Sequence, residues 1–126
     1  MLLNLSELSS EPLHSQITRQ LRAMILAGHL ESGDTLPSIR AMAQEQRVSV
    51  ITVQTAYDNL QREGLIHSMR VKGSIVSELT AEQRKTIAVN RLVEDLAPVL
   101  SNAQAEGLTR RKVLNTITKI LKGDVE

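Results

Sequence analysis

The chain of 126 residues contains no cysteine, no tryptophan, no phenylalanine and a single tyrosine. Without cysteine it can form neither a disulfide bond nor a thiolate metal site, and it has no cysteine nucleophile. Aromatic side chains are the platforms on which proteins usually stack single-stranded bases. If the chain binds nucleic acid, we therefore expect double-stranded DNA as the partner.

Long apolar runs and a strong charge of one sign are also missing. No hydrophobic run approaches the roughly 20 residues that a membrane span needs, and the sequence does not open with a basic segment, an apolar stretch and a cleavage site. We therefore expect a cytoplasmic protein without a membrane partner. Lysine and arginine number 15 against 14 acidic residues, so the net charge is only +1 and any basic surface must be local.

The sequence also lacks the constellations of an enzyme. His14, His29 and His67 lie far apart, with no carboxylate at metal-ligand spacing, and no glycine-rich phosphate loop is present. We therefore expect no catalytic activity, no metal and no cofactor. A chain of this length can bury one modest core with a small appended element.

The first part of the chain predicts two helices. Residues 1–10 show no periodicity, and we expect a loose arm there. Over residues 12–27 apolar side chains recur at three- and four-residue steps, which predicts an amphipathic helix. Turn chemistry at residues 31–34 and an N-cap at Ser38 predict a second helix over residues 38–45. Its expected buried residues are Ile39, Met42 and Ala43.

A third helix and a hairpin follow. Ser49 is a good N-cap and Gly64 marks the helix end. Successive residues turn by about 100°, which separates an inward from an outward face. The inward face is Val53, Ala56, Tyr57 and Leu60, and the outward face is Ile51, Thr55, Asp58 and Arg62. Alternation over residues 65–77 predicts a β-hairpin with residues 70–73 at its tip.

These elements predict a winged helix-turn-helix over residues 11–78, in a mainly α fold with a small β-hairpin (α+β). Residues 79–126 form a short helical tail. Residues 80–83 match a capping box that opens a longer helix, and Pro98 should kink or interrupt that helix. After Gly107, Thr109 can cap a last helix, which is expected to bury Val113, Leu114, Ile117, Ile120 and Leu121.

A recognition helix exposes short polar side chains at its N-terminal turn, because that end enters the major groove. Ser49, Thr52 and Thr55 suit this task, and Gln54, placed laterally, suits a phosphate. Ile51 points away from the core. Either it contacts a thymine methyl group, or it is one of the single exposed apolar residues that are common on surfaces.

Basic residues beside this helix are further candidates. Arg40, in the first turn of the second helix, can contact a phosphate or a guanine. Arg70 and Lys72 at the hairpin tip can enter or grip a minor groove. The alternatives are a solvated arginine and a charged turn that keeps the protein soluble.

The motifs L-P-S-I-R at residues 36–40, V-S-V-I-T-V at residues 48–53 and E-G-L-I at residues 63–66, followed by a wing, resemble the GntR family of bacterial transcription regulators. The resemblance covers residues 12–77. The short tail and the A-Y-x-x-L run at residues 56–60 are similar to its YtrA subfamily. The resemblance implies a sequence-specific regulator, a repressor that binds an inverted-repeat operator as a homodimer.

By position in the family motifs, Arg40, Ser49, Thr52, Arg70 and Gly73 correspond to DNA contacts. With the candidates above, the full expected set is Ser38, Arg40, Ser49, Val50, Ile51, Thr52, Gln54, Thr55, Arg70, Lys72 and Gly73. The chain departs from the family pattern at three places. Val50 and Ile51 replace hydrogen-bonding residues or proline, Val71 replaces the first wing glycine, and Gln46-Arg47 replace a leucine-glycine turn. An arginine at that turn must avoid a positive φ or bear strain.

Two short helices cannot bury their apolar stripes alone, so the tail is expected to form the homodimer. The expected interface residues are Val89, Leu92, Val93, Leu96, Leu100, Ile117 and Leu121. Packing of the stripe against the first helix of the same chain is the rival arrangement. A small-molecule effector is left open, although no pocket enclosed within one tail is expected. The alternative function is a winged-helix module for protein contacts that does not bind DNA.

Overall fold

The computed structural model describes residues 1–124, which form two compact units, Met1–Arg84 and a second unit that begins at Lys85. The elements in chain order are α1 (Leu13–Leu26), α2 (Ile39–Gln46), α3 (Val50–Arg62), β1 (Ile66–Met69), β2 (Gly73–Val76), α4 (Ala81–Ala105) and α5 (Arg110–Leu121). The predicted class, mainly helical with one small hairpin, is confirmed.

The core of the first unit lies where α1 and α2 pack against α3. The predicted inward face of α3 is fully confirmed, because all four of its residues are buried. From α1 the buried apolar residues are Ile17, Leu21 and Ile25. On α2, Met42 and Ala43 are buried as predicted, whereas Ile39 is only half-buried because it lies in the first turn.

The hairpin closes the first unit. Strands β1 and β2 are antiparallel, with Ile66 opposite Val76 and Met69 opposite Gly73. The segment before α2 pairs with the other edge of β2, where Thr35 bridges Ile75 and the amide of Leu36 donates to the carbonyl of Ser74 over 2.9 Å. This pairing anchors the chain just before α2 and leaves residues 70–72 as the turn of the wing.

Residues 1–10, the N-terminal strap, form no helix or strand, but the prediction of a loose arm is wrong. Leu3 is only 8% exposed. Glutamine side chains hold the strap backbone, since each amide group offers a donor and an acceptor as a peptide group does. Gln46 bonds Met1 and Leu3, Gln20 bonds Asn4 at 2.8 Å in both directions, and Gln16 bonds Ser6 at 2.8 and 2.9 Å.

The predicted capping box at the start of α4 is confirmed. The amide of Thr80 donates to Oε1 of Gln83 over 2.8 Å, and the amide of Gln83 donates to Oγ1 of Thr80 over 3.1 Å. Of the two effects expected of Pro98, a kink or an interruption, the interruption is wrong, because α4 continues through Pro98 to Ala105. Pro98 removes one amide donor, and the helical bonds on either side keep the helix continuous.

Helix α5 begins where predicted, with Oγ1 of Thr109 accepting from the amide of Lys112 over 3.1 Å. Its predicted burial is not found within the described chain, because α4 and α5 contain no buried residue. Val113 and Ile117 are half-buried, and the other apolar residues of α5, namely Leu114, Ile120 and Leu121, are exposed. The physical reason is that two helices alone offer each stripe too little surface to cover it.

Candidate nucleic-acid interface

The N-terminus of α2 presents a capped helix start with one unpaired cation. Oγ of Ser38 accepts a hydrogen bond from the amide of Ala41 over 3.0 Å. Arg40 is exposed, and its side chain makes no hydrogen bond or ion pair within residues 1–124. Its five guanidinium donors are therefore available to a partner such as a phosphate or a guanine edge.

A hydrogen bond from the core positions this helix start. The hydroxyl of Tyr57 on α3 donates to the carbonyl of Pro37 over 2.7 Å. Burial, and to a smaller extent the negative charge of Glu45, raise the pKa of Tyr57. The hydroxyl therefore stays protonated and keeps donating, so the segment that carries Ser38 and Arg40 is tied to α3.

The turn between α2 and α3 contains Arg47 in the left-handed region, with φ of 56° and ψ of 46°. Among the described residues it is the only one other than glycine with a positive φ. The next amide, of Val48, bonds back to the carbonyl of Ala43 over 3.0 Å. The sequence left two alternatives for this arginine, and the structure shows the strained one.

At the start of α3 the polar side chains are largely bonded to one another or to the backbone. Oγ of Ser49 accepts from the amide of Thr52 over 3.0 Å and lies 2.8 Å from its Oγ1. The hydroxyl of Thr55 donates to the carbonyl of Ile51 over 3.0 Å. Further along, the side-chain amide of Gln54 donates to Asp58 over 2.9 Å.

The apolar residues at the same helix start are exposed. Val50 is 48% exposed and Ile51 is 77% exposed. Val50 and Arg40 line one groove of about 330 Å³ between α2 and α3, together with Ala43, Gln44 and Val48. The structure therefore brings the cation of α2 and the first turn of α3 to one surface.

The wing places its predicted residues at the exposed hairpin turn. Arg70 and Lys72 are exposed, and Val71 is 95% exposed. Gly73 supplies the positive φ, 80°, that the turn needs, so Val71 bears no such strain. A hydrogen bond of 3.3 Å between Ser68 and Gln61 attaches β1 to the C-terminal half of α3.

One ion pair of the first unit was not predicted from the sequence. Nε and Nη2 of Arg22 donate to the two carboxylate oxygens of Glu63 over 2.8 and 3.0 Å. Arg22 is buried, and the pair joins α1 to the end of α3. The only signal was a cation beside the apolar stripe of α1 and the acid of the E-G-L-I motif, which lie 41 residues apart.

Residues 1–124 contain no group of three or more histidine, aspartate or glutamate side chains that could hold a metal ion. In the same part of the chain, no helix is both long and apolar enough to cross a membrane.

Known proteins resemble the chain at the level of sequence and of fold. The family described as bacterial regulatory proteins, gntR family, matches residues 13–76. The HTH-type transcriptional repressor YtrA of Bacillus subtilis (strain 168) is 31% identical over 112 residues, which span 89% of this chain and 86% of that protein.

Two solved structures extend the comparison. A GntR family transcriptional regulator from Listeria monocytogenes has a TM-score of 0.73 at 23% identity, covers 91% of this chain and 98% of that one, and so supports the fold. The DNA-binding domain of AraR in complex with operator ORX1 has a TM-score of 0.53 at 25% identity and covers 60% of this chain and 93% of that domain.

Proposed function

Because the chain belongs to the gntR family of bacterial regulatory proteins and is therefore a DNA-binding transcription regulator, we propose that it acts as a homodimeric repressor on an inverted-repeat operator. The sequence similarity to the repressor YtrA extends along most of both chains, which supports repression as the output. A small repressor of this kind acts by occupying DNA that RNA polymerase needs.

The proposal rests on one surface, on which Arg40 of α2 and the first turn of α3 lie side by side. This turn has an intact N-cap and no acidic residue, so the partial positive charge of the helix N-terminus faces outward. Arg40 beside it adds a full charge, and both attract phosphate. We assign DNA contacts to Ser38, Arg40, Ser49, Val50, Ile51, Thr52, Gln54, Thr55, Arg70, Lys72 and Gly73.

The proposed contacts divide into two kinds. The hairpin cations and the N-cap groups position the protein on the sugar-phosphate backbone, which carries no sequence information directly. The residues at the start of α3 touch base edges in the major groove. Gln54, engaged by Asp58, must exchange that bond for a phosphate to take part.

The tail supplies the proposed dimer interface. Its apolar residues are exposed or half-buried in the single chain: Leu92 is 59% and Leu121 is 83% exposed, whereas Leu96, Leu100 and Ile117 are half-buried. A second copy that covers them recovers about 25 cal/mol for each Å² of apolar surface removed from water. The proposed interface residues are Val89, Leu92, Val93, Leu96, Leu100, Ile117 and Leu121.

A groove of about 380 Å³ within the tail belongs to the same surface, because Leu100 and Ile117 line it with Gln104, Arg110, Val113 and Leu114. We assign this groove to the dimer contact and propose no small-molecule effector for it. We also propose that the protein works in the cytoplasm without a catalytic step, since its relatives are transcription regulators.

The test is selection of random duplex DNA by the purified protein at stated salt, followed by sequencing of the bound pool. We expect an inverted repeat, since two identical heads read two half-sites related by two-fold symmetry. Enrichment of a single half-site would contradict the dimer. No enrichment by folded protein would contradict sequence-specific DNA binding and favour a protein-interaction module.

A further inference from the structure

We propose that the start of α3 reads thymine methyl groups in the major groove, with Ile51 and Val50 as the residues that determine specificity. The inference rests on the proposed DNA-binding function and adds to it the chemistry by which bases are told apart. It assigns the exposed isoleucine to one of the two roles that the sequence left open.

The first step is that the hydroxyl groups at the start of α3 are already engaged. The hydroxyls of Ser49 and Thr52 lie 2.8 Å apart, and Ser49 also caps the helix. The hydroxyl proton of Thr55 is directed at the carbonyl of Ile51. Of the three hydroxyl protons, one joins Ser49 to Thr52 and one bonds the backbone, so a single hydroxyl proton is left to donate to a base.

The second step is that the apolar groups here have no partner of their own. Ile51 is 77% exposed and Val50 is 48% exposed, while the inward residues of the same helix are buried. A β-branched residue at an exposed helical position also gives up some helix propensity. Neither folding nor packing within the chain accounts for Ile51, so its contribution lies in contact with a partner.

The third step identifies that partner. Of the groups that base pairs present in the major groove, the thymine C5-methyl group is the apolar one. Ile51 and Val50 sit in the turn of α3 whose geometry directs it to that groove. Arg40, which shares a groove with Val50, supplies a charge for the adjacent phosphate. Charge then fixes the position of the helix, and the methyl contact selects the base.

The experiment uses duplexes carrying the sequence selected from the random pool, resynthesised with deoxyuridine in place of one thymidine at a time. Deoxyuridine pairs like thymidine and lacks only the methyl group. Losing one buried methyl contact is expected to weaken binding about fourfold at the thymine that meets Ile51. Other thymines should show little effect.

Ile51→Ala then identifies the residue responsible. Because Ile51 is exposed, this substitution leaves the core intact, and thermal unfolding can verify that. The variant should bind the selected duplex more weakly and should no longer distinguish thymidine from deoxyuridine at the sensitive position. Val71→Ala is the matched control, an exposed apolar residue on the wing rather than on α3, and it should keep the full sensitivity.

Three results would overturn the inference while leaving the proposed function in place. These are a selected half-site without thymine, tolerance of deoxyuridine at every position, and a deoxyuridine effect that persists unchanged in Ile51→Ala. Failure to enrich any sequence would overturn the proposed function itself, and the two failures are therefore distinguishable.

Discussion

The hydroxyl of Tyr57 and the carbonyl of Pro37 form a 2.7 Å hydrogen bond that joins the core face of α3 to the residue that precedes the N-cap of α2. Pro37 has no backbone N–H, so its carbonyl is the only backbone hydrogen-bonding group by which this residue can be held. The sole aromatic residue of the chain thus sets where α2 begins relative to α3.

Tyr57→Phe removes this bond and should lower the free energy of unfolding by about 1 kcal/mol at neutral pH. It should also change the alkaline pH dependence. Burial raises the pKa of Tyr57 in the folded protein, whereas the unfolded chain ionises near pH 10. Above about pH 10 the unfolded state loses this proton and the folded state keeps it, so stability falls as pH rises.

Urea unfolding at neutral pH and in steps above pH 10 measures both effects. The stability difference between wild type and Tyr57→Phe should shrink as pH rises, because only wild type has this group to ionise. A difference that stays constant with pH would show that Tyr57 ionises equally in the folded and unfolded chains.

Arg47→Gly should stabilise the protein by about 0.5–1 kcal/mol. A side chain in the left-handed region costs about 1–2 kcal/mol, and glycine relieves this cost while adding freedom to the unfolded chain. Arg47→Ala is the matched control, since it removes the charge and keeps the strain. Thermal unfolding of both variants separates the two causes, and equal stabilisation by alanine would assign the effect to the side chain instead.

Arg40→Ala should weaken operator binding by about 1–3 kcal/mol if the guanidinium contacts a base. If it contacts a phosphate, binding should weaken for all sequences and the slope of log K against log salt should fall by about 1. Arg19→Ala removes the same charge from α1, where Arg19 pairs with Glu11 at 2.9 Å. Equal losses of operator affinity in the two variants would show that binding responds only to net charge, and would contradict a DNA contact by Arg40.

Leu96→Glu should convert the proposed dimer into monomers, because a carboxylate cannot be buried unpaired in an apolar interface without a large cost. Ser101→Glu adds the same charge about 140° around α4 and should leave the dimer intact. Sedimentation at several concentrations reports the state of each variant. A dimer that survives Leu96→Glu would place the interface elsewhere.

Gln20→Ala should release the N-terminal strap locally. In the wild type, the amide of Asn4 donates to Gln20 and should exchange with solvent more slowly than the amide of Glu7, which has no such partner. Removing a bond worth about 1 kcal/mol should speed exchange at Asn4 about fivefold, while Ser6, held by Gln16, stays protected. Hydrogen exchange by NMR resolves the individual amides. Unchanged exchange at Asn4 would show that Gln20 does not hold the strap.

Much of the fold could be predicted because its signals are local. The buried residues of α3 follow from spacing along one helix, and the caps at Ser38, Ser49 and Thr109 depend on atoms only three residues away. The capping box at Thr80 is equally local. Such bonds form within one helical turn, so their donors and acceptors can be identified from residue spacing in the sequence.

The contacts that could not be predicted join residues that lie far apart in the sequence. The strap is held by glutamines up to 45 residues away, and a glutamine on a helix gives no sign of which backbone it will bond. The Arg22–Glu63 pair and the Tyr57–Pro37 bond have the same character. At the candidate DNA surface, the sequence motifs predicted which residues contact DNA. The hydrogen bond between Gln54 and Asp58 was not predicted and is seen only in the structure.

The tail has one further consequence. Residues 1–124 bury no side chain of α4 or α5, and an isolated 12-residue helix is marginal in water. Under the proposed dimer, ordering of the tail is therefore coupled to the association of two chains. Below the dissociation constant of the pair, operator occupancy would rise with roughly the square of protein concentration. The cell's copy number of this regulator would then act as the input signal, and a twofold change in expression would move the promoter further than a monomeric repressor could.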